Sequence, residues 1–463
     1  MDSPIKYTGY WWLPTNPDQK VSGTLYIDRE KGIELKTIDS LLSRQEVFSN
    51  NLDVFLKEVI LGQTVGANKL ITLSDCKCKS NDHYNSKFAL IGKRHFMTNA
   101  DITFTSAEVR LSLLDEWLSV AGFNEREDSD DQGRNIFNLE YRFPETIEFY
   151  INHINTQLST NYILSRTSIR NLKWELAHSS FLKLTPEQPK ALDWYMKQFY
   201  SLQKLLTILT GFIVSPIRFV GYGNDVQVAQ NSTVKEEFEI YYQLCSNFQN
   251  IVDKHRNQLL LTVPFLEIDL SAVVNNWFEK TEILDPVTNL YVATLSTPSL
   301  YPEFKLLNYA QALEALHRRV FGGKYMSDEE YEPIRRILVE SIPEDVSKDH
   351  CKSLKGKLNY GHEFSQRKRI KFLLDEVWEN CLNQFIDNKS RFIDEVIGTR
   401  NYLIHFDESS ASSVVFGTEV FYLAEKLKVL LLTSLLIQFG IPRDNVYRAI
   451  KQFNEFSYLK RRG

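Results

Sequence analysis

At 463 residues, with 43% hydrophobic and 24% charged residues, the chain is too long for one ordinary core and too apolar to stay unfolded, so two or three packed domains are expected. A net charge of −5 excludes a protein that binds nucleic acid through its whole surface and leaves that task to a local basic patch. Five cysteines at 76, 78, 245, 351 and 381, an odd number with no CxxC pair, exclude a disulfide framework and a zinc knuckle; reduced thiols in the cytoplasm are expected.

The start, Met1-Asp2-Ser3-Pro4, is polar and gives no sign of a signal peptide. Trp11 and Trp12 follow, and adjacent residues of a strand point to opposite faces, so at most one of the two enters a given core. Alternating residues over 24–28 and 32–38, with Gly32 in the turn, predict a hairpin. Further strands are expected over 69–73, 88–91 and 102–109, then a helix over 111–120. The acidic run 124–131 reads as a solvated loop. Alternation returns over 137–143 and 147–152, with one or two more strands in 165–184. Trp194, Met196, Phe199, Leu202, Leu205 and Leu206 place an apolar stripe on a helix over 189–209. Strands are expected once more over 212–220 and 237–244. Gly221-Tyr222-Gly223-Asn224 lacks the Gly-Lys-Ser/Thr ending of a phosphate loop.

From Val263 the period changes from two to about 3.6 residues. Helices are expected over 270–284, 286–293, 302–321, 328–341, 365–385, 389–406, 416–439 and 444–456. Gly322-Gly323 and Gly440-Ile441-Pro442 supply stops. The longest apolar run, 429–437, contains Thr433 and Ser434 and falls short of a membrane span. The basic tail Lys460-Arg461-Arg462 reads as disordered surface. The fold class expected is therefore α+β: a β-rich, sandwich-like N-terminal domain over 1–262 with one or two helices, then an all-α domain over 263–463.

Arg400-Asn401-Tyr402-Leu403-Ile404-His405, on a helix near the C-terminus, carries the chemistry. Arginine is a permanent cation that clamps phosphate, and histidine exchanges protons near neutral pH. These are the tools for cutting RNA without a metal. Asn401 and His405, four apart, share a helix face; Arg400 lies about 140° round from His405, within reach of a long side chain. One Arg and one His are too few for separate acid and base roles, whereas a symmetric dimer supplies two of each. Upstream, Glu314 and Arg318 form an i,i+4 pair in Gln311-Ala312-Leu313-Glu314-Ala315-Leu316-His317-Arg318-Arg319. Lys355, Lys357, Arg367, Lys368 and Arg369 are candidates for holding an RNA backbone, with a solvated helix face as the competing reading. His153, His178, His255 and His350 have no partners at metal-ligand spacing, so no metal and no cofactor are expected.

The 311–319 helix, the Arg400-to-His405 motif and the closing apolar helix resemble the HEPN superfamily, a helical bundle marked by Arg-x(4–6)-His, often with Asn after the Arg. More narrowly, together with Gly9-Tyr10-Trp11-Trp12-Leu13-Pro14 and Val21-Ser22-Gly23-Thr24-Leu25 at the start, they resemble ApeA-type HEPN proteins of bacterial anti-phage defence. The resemblance implies a metal-independent endoribonuclease that works as a HEPN homodimer and halts the infected cell by cutting RNA, tRNA being a plausible substrate. It implies catalytic roles for Arg400 and His405 and supporting roles for Asn401 and Glu314. The N-terminal domain then becomes the sensor of a phage-derived trigger. Two rival readings remain: a non-catalytic HEPN-like interaction or antitoxin module with a β-rich ligand-binding domain, and a carbohydrate-binding β-sandwich with a helical appendage, which leaves the Arg400 and His405 pairing without a role.

Overall fold

The first six strands close on themselves. β1 (Ile5–Leu13) pairs with β2 (Asn16–Asp28) and β4 (Leu56–Thr64); β2 continues to β3 (Gly32–Thr37), β3 to β6 (His83–Ser86), β6 to β5 (Leu70–Ser80), and β5 back to β4, all antiparallel. Closure leaves none of the six with a free edge along its whole length, which is how a barrel removes the hazard of an open sheet. In this computed structural model, residues 4–28, 31–42, 56–80, 82–120, 122–170, 172–229, 232–243, 253–267, 269–406 and 413–462 are described. Trp11, Leu25, Leu35, Ile60, Ile71 and Leu73 fill the barrel interior. Both tryptophans are buried, on opposite faces as strand alternation requires. Trp12 packs outside the barrel with Val59 and Leu61 and meets the His95 ring edge-on at 5.2 Å. Gly62 faces Trp11, and a Cβ there would lie 2.3 Å from the indole.

β5 also pairs with β7 (Phe88–Gly92), which carries the sheet out of the barrel. The order from there is β7, β17 (Ser232–Tyr242), β16 (Pro216–Ala229), β9 (Ser106–Leu111), β14 (Lys173–Pro186), β13 (Thr156–Ile169) and β12 (Glu148–Ile151). Small ribbons join β8 (Thr103–Phe104) to β15 (Lys190–Ala191) and β10 (Phe123–Ser129) to β11 (Asn135–Tyr141). The short helix α1 (Leu114–Leu118) follows β9. The long helix α2 (Leu192–Thr210) covers one sheet face with Tyr195, Phe199, Leu202, Leu205 and Leu206, and ends at Gly211 in the left-handed conformation. α3 (Val263–Leu266) is a single turn.

The strand-rich-then-helical order expected from the sequence is the order observed, with a barrel and an extended sheet in place of the sandwich-like arrangement. Two compact units divide between Phe278 and Glu279, inside α4 (Leu270–Leu295), rather than at Val263. α4 is one helix where two were expected: Pro286 lies inside it. The acidic run 124–131 is not a loop; most of it is β10, paired residue by residue with β11. Residues 454–462 form 3-10 turns, with Phe456 and Leu459 fully buried ahead of the basic residues.

The second unit is built on α5 (Pro302–Phe321), α8 (Gln366–Val377), α9 (Lys389–His405) and α10 (Thr418–Gln438), every pair of which touches. α10 is buried nearly all round, from Val420 through Leu436, as a central bundle helix must be. α11 (Arg443–Gln452) packs on it. Between α5 and α8, α6 (Asp328–Glu340) and α7 (Lys348–Leu358) form a hairpin off the bundle. Among the described residues no helix is long and apolar enough to cross a membrane, and no group of His, Cys, Asp and Glu forms a metal site. Among the described residues no disulfide joins Cys76, Cys78, Cys351 or Cys381; Cys245 lies outside the described residues.

Candidate active site

α9 starts at Asn388, whose side chain accepts the Arg391 backbone N–H at 3.0 Å, a cap that satisfies one of the helix's unpaired donors. Phe392, Ile393, Val396 and Thr399 turn into the bundle. Gly398 is needed because the chain returns across it: a Cβ there would lie 2.2 Å from Ser413 Oγ. The same crossing is pinned by the Val415 N–H donating to Thr399 Oγ1 at 3.0 Å. The helix stops at Phe406, left-handed at φ 51°. A bulky side chain pays about 1 kcal/mol to sit there.

The polar end of α9 is thus fixed from below and open above. Arg400 is half-buried and donates Nη1 to Asn401 Oδ1 at 3.0 Å. His405 is exposed and, among the described residues, has no hydrogen-bond partner. Asn401 therefore steers Arg400 rather than touching its i+4 neighbour His405. One of the five guanidinium N–H groups is spent on Asn401, which leaves a fork free for phosphate oxygens. Around this pair stand apolar side chains: Ile404 is 44% exposed, Phe406 71% and Phe416 61%. Tyr402 links the two phenylalanines, edge-on at 5.8 Å and 5.4 Å. Asp407, next after Phe406, lies outside the described residues.

Glu314 belongs to a second polar cluster. It accepts from Arg318 Nη2 at 3.4 Å; Arg318 Nη1 also pairs with Glu363, and Glu363 pairs with Arg369 at 3.5 Å. No contact among the described residues joins Glu314 to Arg400 or His405. Arg369, one of the proposed RNA-holding residues, is fully buried. Its guanidinium donates to the carbonyls of Phe364 at 3.0 Å, Gly322 at 2.7 Å and Gly323 at 3.3 Å, and to His317 Nδ1 at 3.2 Å. Burial and the Arg369 charge push the His317 pKa down to about 4. The ring is therefore neutral, with Nδ1 as acceptor and the proton on Nε2, which is buried without a partner. Arg369 is a structural clasp, not an RNA contact.

The other predicted cations separate as well. Arg367 is paired with Asp394. Lys368 sits 3.9 Å over both the Tyr325 and Phe364 rings. Lys355 and Lys357 are exposed on α7, a helix absent from the expected set. Sequence reasoning also missed Gly398, Phe406 and Phe416; a glycine inside the helix pattern two residues before Arg400 was the available signal.

The family model of ApeA N-terminal domain 1 matches residues 6–277, more than half of the chain, and that of Apea-like HEPN matches residues 307–445. The chain belongs to the ApeA-type HEPN proteins. The HEPN match covers the four-helix bundle except the first turn of α5, and includes Arg400 and His405; the ApeA match covers nearly all of the barrel and its extended sheet. No curated protein and no solved structure matches this ApeA-type chain.

Proposed function

We propose that this protein is a metal-independent endoribonuclease of anti-phage abortive infection, cleaving RNA, with tRNA among its substrates, at a homodimer interface. The observation that carries the reading is the end of α9: Arg400 with a free donor fork and an exposed His405, set inside an exposed rim of Ile404, Phe406 and Phe416. HEPN domains typically dimerise and act on RNA.

In the reaction, the 2′-hydroxyl attacks the adjacent phosphorus and the bond to the 5′-oxygen breaks. One imidazole takes the 2′-hydroxyl proton, and a protonated imidazole gives one to the leaving oxygen. Arg400 neutralises charge growing on the non-bridging oxygens. The products are a 2′,3′-cyclic phosphate and a 5′-hydroxyl. Two histidines are required, and each chain offers one at this site, so two copies related by a two-fold axis complete it. The apolar rim gives such a self-complementary interface something to bury. Asn401 aims Arg400, and Glu314 supports the bundle through Arg318. The N-terminal unit serves as the sensor of a phage-derived trigger.

The test compares wild type with Arg400→Ala and His405→Ala on total bacterial RNA in EDTA, with and without lysate of infected cells. Cleavage by wild type alone, leaving cyclic phosphate ends, is expected. Folded, dimeric wild type that cuts nothing in either condition makes the protein a non-catalytic interaction module.

A further inference from the structure

We propose that α7 grips the RNA backbone: Lys348, Lys352 and Lys355 seat phosphates of the strand that is cut at Arg400 and His405. This deepens the ribonuclease reading and rests on it.

α7 belongs to the hairpin 324–363, which is closed at its base by the Tyr325 N–H to His362 O bond of 2.8 Å and the Phe364 N–H to Gly323 O bond of 2.9 Å. The Arg369 clasp locks the same base. α7 itself has no fully buried residue. At 100° per residue, its half-buried Cys351, Leu354 and Leu358 fall within an arc of about 60°. Lys348, Lys352 and Lys355 fall within a second arc of about 60°, centred about 100° from the first. They therefore form a stripe along one flank, with Asp349 beyond its edge. Lys357 points about 180° away from Lys348.

Several cations elsewhere in this unit meet acids: Lys324 with Asp328, Arg335 with Glu332, Arg367 with Asp394, Lys389 with Asp375 and Arg391 with Glu395. Among the described residues none of the three stripe lysines has an acidic partner. In a chain of net charge −5, a row of three free cations on an outlying helix is a local anion-attracting surface. Its length fits a nucleic-acid strand. The seven residue steps from Lys348 to Lys355 rise about 10 Å, the length of about three nucleotide steps at about 3.4 Å of rise each, so the three lysines lie along about four successive phosphates.

Two neighbours suit the same ligand. Gly356 lies beside the stripe, and a Cβ there would meet nothing within 4 Å. No packing need explains a glycine that costs an exposed helix about 1 kcal/mol, whereas a bare backbone admits close approach. Tyr360, 67% exposed just past the helix, offers a ring face on which an unpaired base stacks.

The experiment uses the full-length chain with His405→Ala, which binds without cutting, and a labelled tRNA or single-stranded RNA in an anisotropy titration over a salt series. Lys348→Ala/Lys352→Ala/Lys355→Ala should weaken binding about 10- to 100-fold at low salt and reduce the slope of log K against log salt by about 2. Lys357→Ala, equally exposed but on the other flank, should leave the slope nearly unchanged. Unchanged affinity and slope in the triple variant, with wild type still cutting the same RNA, overturn the grip alone. Absence of both binding and wild-type cleavage overturns the ribonuclease reading and the grip with it.

Discussion

Removing the Arg369 side chain tests whether a buried charge, rather than apolar packing, holds the α6–α7 hairpin to the bundle. Arg369→Ala deletes donors to three carbonyls, of Phe364, Gly322 and Gly323, and to His317 Nδ1. Glu363 keeps Arg318 as a partner, so it is not left as an isolated buried charge. The cost is then that of several buried acceptors without donors plus the space of a long side chain. Charge-assisted hydrogen bonds contribute about 1.5–3 kcal/mol each but are not additive, which puts the total at about 3–5 kcal/mol. For a unit of this size that corresponds to a fall in Tm on the order of 10 °C. Arg369→Lys keeps the charge but loses the planar fork and should recover less than half. Thermal unfolding gives the magnitude; hydrogen exchange should place the loosened amides in 322–364. A Tm within 2 °C of wild type for Arg369→Ala would refute the clasp.

His317 should make the second unit acid-sensitive. Its folded pKa of about 4 lies below the ordinary 6.5, so between these values the unfolded chain binds more protons and stability falls as pH drops through that window, by roughly 3 kcal/mol in all; His317→Gln should flatten this part of a denaturant-midpoint-versus-pH curve. Gly62→Ala forces a methyl against the Trp11 ring 2.3 Å away, and should destabilise the barrel by about 1–3 kcal/mol in urea unfolding. Gly398→Ala drives a methyl into Ser413 and should cut RNA cleavage several-fold by displacing the end of α9, with partial recovery in Gly398→Ala/Ser413→Gly; full activity in the single variant would show that the returning chain plays no part.

Where one physical signal dominated, the sequence was legible. The 3.6-residue period announced α2, α5 and α9, and alternation announced the β2–β3 hairpin, because burial on one face leaves a periodic trace; α10, buried nearly all round, showed itself by its long apolar run. The α7 helix escaped because it buries no residue fully, so its lysines look like a loop. β10 escaped for the same reason: it is exposed along its length, and only its cross-strand partners in β11 reveal it. The barrel was hidden because closure is a set of long-range pairings, β6 with both β3 and β5, that no local window contains. At the proposed site, residue types and spacing nominate Arg400 and His405. The burial of Arg369 could not: a guanidinium goes inside only when carbonyls freed by the turn at Gly322-Gly323 converge on it, and that convergence is a property of the fold.

The proposed dimeric mechanism makes a claim about numbers that mixing can decide. A catalytic centre that needs one imidazole as base and another as acid is disabled by losing either. His405 is exposed at the end of α9 beside an apolar rim, so replacing it should leave folding and pairing intact. Wild type mixed with an equal amount of His405→Ala and allowed to re-pair at random leaves about one quarter of the dimers with two wild-type copies. If both histidines act in one centre, activity per total dimer falls to about a quarter; if each chain works alone, it falls to about half. The Arg400→Ala variant should poison wild type in the same way only if both arginines face a single phosphate. A linear dependence on the wild-type fraction, with exchange verified by differently tagged chains, would remove the shared centre and return each Arg400 and His405 pair to its own chain.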